Sequence, residues 1–114
     1  MKKNERENLL RLEHVLDSIE RIKRFTHQIS VNEFLKDEII QQAVLMQFVI
    51  IGEAIGHIDS EFLSLYPYQW YKAKAFRNLI AHEYFNVRIE AVWNTVQNDV
   101  PELEDAVKAL VTRL

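Results

Sequence analysis

"AVLMQFVII", residues 43–51, contains one polar side chain, Gln47. A helix that is apolar all round must be covered on more than one side. This stretch is therefore either the central helix of a bundle or a helix shared between two subunits. Upstream, "SVNE" (30–33) supplies a start: Ser30 with Glu33 three positions on matches a capping box. The helix it opens is expected to run through "FLKDEIIQQAVLMQFVIIGEAIGHID" (34–59). Further upstream, Leu9, Leu12, Leu16, Ile19, Ile22 and Phe25 recur at three- and four-residue steps. That is an amphipathic helix from about Asn4 to His27, roughly 35 Å long.

Downstream, Pro67 breaks the chain among Tyr66, Tyr68, Trp70 and Tyr71. This aromatic group reads as core rather than as a base-stacking platform. A third helix is expected from about Gln69 to Tyr84, and Asn86 can cap a fourth that buries Val87, Ile89, Val92, Trp93 and Val96. Pro101 suits the first turn of a fifth, with Asp99 as cap and Leu103, Val107 and Leu110 inside. The expected fold is all-α, an antiparallel bundle of four to five helices, with residues 1–114 as a single domain.

Composition supports this. Apolar residues make up 48% of 114 and charged residues 27%, enough for a core and unlike a disordered chain. Two glycines and two prolines leave little punctuation for hairpins. A net charge of −3 argues against binding bulk nucleic acid by charge alone, although Lys72, Lys74 and Arg77 cluster locally. With no cysteine there is no thiolate metal site or disulfide, which fits a reducing cytoplasm. The basic N-terminus lacks an apolar signal core, and no uninterrupted apolar run reaches membrane-span length. A cytoplasmic protein without a membrane partner is the expectation.

The chemistry concentrates in "RNLIAHEYF", residues 77–85. On a regular helix Asn78 and His82 share one face, and Arg77 and Tyr84 share another about 140° away. Loss of regular geometry in the last turn would narrow that separation. Together the four offer a permanent cation with a planar donor fork, a proton-exchanging imidazole, an amide and a phenol. Arginine would hold a phosphate oxygen, histidine would move a proton at a ribose 2′-hydroxyl or a leaving 5′-oxygen, and asparagine would orient one of them. Spacing alone leaves a structural role for these residues the commoner outcome. His14, His27 and His57 fit helix surfaces or ends.

This motif resembles the R-x-x-x-x-H-x-Y motif of the HepT-like toxins of the HEPN superfamily. "IGEA" (51–54) within the long second helix and "FNVRIEAVWNTVQNDVPEL" (85–103) are similar to the same family's neighbouring segments. The resemblance implies a homodimeric α-bundle acting as a metal-independent endoribonuclease toxin of a type VII-like toxin–antitoxin system. It implies Arg77 and His82 as the catalytic pair and RNA as substrate, with no cofactor and no metal. It further implies a minimal nucleotidyltransferase antitoxin as partner, which silences the toxin by transferring AMP to Tyr84. Asn78 and Glu53 are expected in supporting roles; Glu53 either positions a motif residue across the bundle, which Gly52 and Ala54 favour by allowing close helix approach, or solvates a helix end. The competing implication is a non-catalytic helical adaptor that binds a nucleotide or the nucleotidyltransferase.

Overall fold

The structure, a computed structural model, describes residues 2–114. Among these there is no strand. Helix α1 (Lys3–Phe25) completely buries Leu12, Ile19 and Ile22 of its predicted stripe, and with them Val15, which the stripe did not include. The chain then reverses through Gln28, whose φ of 58° lies in the left-handed region. Ser30 accepts from the Glu33 amide while the Glu33 carboxylate accepts from the Ser30 amide, so the expected capping box opens α2 (Val31–Lys36).

The helix expected to continue from there is in fact interrupted. Asp37 leaves helical geometry (φ −106°, ψ 95°), and its carboxylate accepts from the Ile40 amide at 3.1 Å, starting a separate α3 (Glu38–Gly56). A short polar side chain satisfies an otherwise orphaned helix-end donor more cheaply than an unbroken helix would have to bend. Gln41 ties the two pieces, donating to the Phe34 carbonyl at 2.9 Å.

Helix α3 is the central rod. It packs against α1 on one side and α5 (Tyr71–His82) on the other, which buries Val44, Leu45, Phe48, Ile51, Ala54 and Ile55. Phe48 meets Phe76 of α5 with ring centroids 5.0 Å apart. The single chain thus covers most of the apolar surface that raised the prospect of a shared helix. What remains outside is a strip bearing Ile39 (83% exposed) and Met46 (56%). By length and mean hydropathy (1.6) α3 could cross a membrane, but half of that window is buried inside the chain, as in a core helix.

A short α4 (Ser60–Leu63) precedes the aromatic turn. Trp70 is buried there and its indole N–H is shared between the carbonyls of Leu63 (2.9 Å) and Tyr66 (3.2 Å). After α5 comes a 3₁₀ turn, Tyr84–Asn86, then α6 (Ile89–Asn94), a π-helical turn (Thr95–Asp99) and α7 (Val100–Val111). Asn86 therefore lies in the 3₁₀ turn and Arg88 occupies the cap position of α6. Asp99 stands at the head of α7 without a side-chain capping bond, because the expected fourth and fifth helices run on into each other. Pro101 has no amide hydrogen to donate backwards, and the wider π turn just before it accommodates that loss without a break. Phe34 packs on Trp93, joining α2 to α6, and Lys23 pairs with Glu104 at 2.6 Å, joining α1 to α7.

Candidate active site

The crossing of α3 and α5 is unusually close at one point. A Cβ built on Gly52 would stand 2.3 Å from Cβ of Arg77 and 2.7 Å from the Ala73 carbonyl oxygen. Glycine alone permits that approach, and it brings the next residue of α3, Glu53, within reach of the Arg77 guanidinium.

The result is a chain of four polar side chains. Arg77 Nη2 donates to Glu53 Oε2 at 3.1 Å and Nη1 donates to Asn78 Oδ1 at 2.9 Å. Glu53 Oε1 lies 3.1 Å from His57 Nε2. The His57 hydrogen bond first, and the Arg77 charge second, hold the Glu53 carboxyl below its ordinary value. The Arg77 Nε is buried without a partner among the described residues. The guanidinium is thus held at two of its three nitrogens, and its side chain is 31% exposed.

His57 was read from sequence as an ordinary helix-end residue, yet it belongs to this chain. The signal was present in its spacing, four residues beyond Glu53 on one face of α3.

His82 is the last residue of α5 and is exposed, on the same face as Asn78 one turn earlier. Tyr84 is not where a regular helix would carry it. Glu83 leaves helical geometry (φ −136°, ψ 45°), so α5 ends before the tyrosine and the 3₁₀ turn carries it instead. There the Tyr84 hydroxyl accepts a hydrogen bond from Gln42 Nε2 of α3. The site therefore draws on two turns of α3, marked by Gln42 and Glu53, and on the end of α5. Among the described residues no group of three or more His, Asp or Glu is arranged to hold a metal ion. A separate cavity of about 540 Å³ lies between α3, α5 and α7, and none of these residues lines it.

Residues 15–110, most of the bundle and the whole of this site, match the family described as Ribonuclease HepT-like. The chain belongs to that family. Among its HepT-like relatives, a Thermococcus cleftensis protein named "probable ribonuclease HepT" is 37% identical over 94 residues, covering 82% of this chain and 86% of the relative. A Methanocaldococcus jannaschii protein named as a candidate RNase is 34% identical over 99 residues, covering 82% of each chain. A similarly named protein of Caldanaerobacter subterraneus subsp. tengcongensis is 32% identical over 103 residues, covering 90% and 92%. No solved structure matches the HepT-like chain.

Proposed function

We infer that the protein is a metal-independent endoribonuclease, the cytoplasmic toxin of a toxin–antitoxin pair, with Arg77 and His82 as catalytic residues. The observation that carries this reading is the Arg77 guanidinium held by Glu53 and Asn78, with the exposed His82 one turn beyond Asn78 on the same face of α5. Fixed charge aimed at a developing anion needs no reorganisation as the reaction proceeds. Arg77 binds a non-bridging oxygen of the scissile phosphate. His82 takes the proton of the 2′-hydroxyl, whose oxygen bonds to phosphorus as the bond to the 5′-oxygen breaks. The products are a 2′,3′-cyclic phosphate and a 5′-hydroxyl that receives a proton. Glu53 and Asn78 orient the arginine, and the substrate phosphate competes with Glu53 for part of its fork.

The same reading makes Tyr84 the lock. The Gln42 amide fixes its oxygen while leaving the phenol partly exposed. A minimal nucleotidyltransferase would join that oxygen to the α-phosphorus of ATP and release pyrophosphate. The added nucleotide would place bulk and negative charge at the His82 end of α5 and repel the RNA backbone there. The Arg77 guanidinium stands about 16 Å further along α3, beside Glu53. A homodimer through the uncovered strip of α3 completes the reading, because an exposed apolar patch marks an interaction surface.

The Glu53 and Asn78 bonds of Arg77 also suit a purely structural ion pair, which favours the alternative of a silent adaptor. Cleavage of RNA by purified protein in EDTA decides between them. His82→Ala and Arg77→Ala are each expected to lower the rate by about 10²-fold or more with the fold intact. Activity that needs magnesium, or a His82→Ala protein that cuts normally, refutes the assignment.

A further inference from the structure

Helix α5 carries an exposed ridge that extends beyond the motif. At 100° per residue Tyr71, Lys74, Asn78 and His82 fall within an arc of about 80°, and all four are exposed. From Tyr71 to His82 the ridge rises about 16 Å. Its far end is unlike the rest of the aromatic turn. Trp70 is buried and pinned by two carbonyls, and Tyr66 and Tyr68 are partly buried, as a core reading requires. Tyr71 instead stands out, 68% exposed.

Tyr71 and Lys74 rim an open depression of about 490 Å³ whose floor includes Ile55, Ile58, Tyr66 and Trp70. An aromatic floor, an exposed ring at the rim and a cation one turn along match the needs of a nucleotide: a flat apolar face for the base and a positive charge for its phosphate. Bases stack on aromatic side chains with little regard to sequence, while lysine or arginine tracks the backbone. Lys72 and Lys74 give this end of α5 a local positive charge in a chain that is acidic as a whole.

We propose that Tyr71 and Lys74 form a nucleotide subsite in which Tyr71 stacks on a base of single-stranded RNA and Lys74 holds the adjoining phosphate. A strand lying along the ridge then presents a phosphate a few nucleotides away to Arg77 and His82. The inference rests on the ribonuclease reading for its substrate, and it adds to that reading the path by which the strand approaches. Discrimination comes from length: an oligonucleotide too short to span the ridge gains nothing from the subsite.

The test compares binding of a fluorescent 2′-O-methyl octanucleotide, which cannot be cleaved through its blocked 2′-oxygen, with that of a 2′-O-methyl dinucleotide. Wild type is expected to favour the octamer, and Tyr71→Ala to shrink the octamer-to-dinucleotide affinity ratio about tenfold, a typical loss for one stacked base. Tyr71→Phe, which keeps the ring, retains the ratio. Lys74→Ala lowers the slope of log affinity against log salt by about 0.7, the change for one phosphate contact to a single strand. A ratio unchanged in Tyr71→Ala, a Tyr71→Phe variant as poor as the alanine, or a wild type that binds both probes equally overturns the proposal. So does a Tyr71→Ala protein with an altered oligomeric state in sedimentation, which would place the ring in a subunit interface. A wild type that shows the Tyr71-dependent ratio but never cuts unmodified RNA supports the subsite and refutes the nuclease.

Discussion

At the scale of single residues, the two glycines of α3 make opposite demands. A methyl group at Gly52 meets the backbone of Ala73 and the stem of Arg77, neither of which can swing away. Gly52→Ala is expected to destabilise by about 1–3 kcal/mol, the usual cost of overpacking, and to push the guanidinium out of place. At Gly56 an added Cβ meets nothing within 4 Å. Gly56→Ala should therefore stabilise by about 0.4–1 kcal/mol through the unfolded chain. Urea denaturation of both variants checks the pair, and equal midpoints would contradict the geometry. Glu53 adds a pH signature. Its carboxyl is held below the ordinary 4.5 by His57 and Arg77, so its contribution to stability is complete above that value and is lost as pH falls through the depressed one. Thermal midpoints of wild type and Glu53→Gln should accordingly converge on the acid side; a gap that stays constant down to acid pH would show that the carboxylate charge contributes nothing. That Glu53 could reach a motif residue across the bundle was suggested by Gly52 and Ala54, which permit close approach, but which residue it meets was not legible. Nor was the His57 link, because a histidine near a helix end is usually solvated and its partner is set by rotamer rather than by pattern.

At the scale of elements, what the sequence disclosed was what local chemistry determines. The stripe of α1 and the Ser30–Glu33 box depend on neighbours within a turn, and both formed as read. The break at Asp37 escaped notice because apolar periodicity continues through it, and only the competition between an N-cap and an unbroken helix decides. Asp37→Ala removes the acceptor of the Ile40 amide and should cost about 1 kcal/mol; a circular-dichroism melt unchanged from wild type would mean the cap is dispensable. Pro101 stands in the first turn of α7 as read, but a π turn lets α6 run into that helix, and no local pattern announces a π turn. The end of α5 at His82 matters most for the chemistry. Tyr84 reaches the site through a 3₁₀ turn and a hydrogen bond to α3, contacts between distant segments that a helical wheel cannot contain.

At the scale of the molecule, the all-round apolar character of α3 finds its main explanation inside one chain, between α1 and α5. The uncovered strip with Ile39 and Met46 remains, and Phe85, 97% exposed, projects from the turn after α5. A homodimer through the α3 strip is expected to sediment as such at micromolar concentration, and Met46→Glu to dissociate it. A monodisperse wild-type monomer would rule that interface out. Closure of the bundle depends less on charge. Glu104 is held below its ordinary carboxylate value by the hydrogen bond from Lys23, with Lys108 adding a weaker attraction, and the cluster ties α1 to α7. Lys23 is about half exposed, so Lys23→Ala should cost about 0.2–1 kcal/mol. The buried Leu103, Val107 and Leu110 would keep α7 docked without it.

The two tryptophans give the molecule two built-in optical probes. Trp70 is buried, with its indole N–H clamped between two carbonyls; Trp93 leans half-covered on Phe34. Under ultraviolet excitation the first indole emits at shorter wavelength from a rigid apolar setting, and the second at longer wavelength from a partly wet one. A base settling over the depression floored by Trp70 would quench the blue component alone. Loosening of α2 from α6 would move only the red one, so a single emission spectrum separates occupancy at one end of the bundle from fraying at the other.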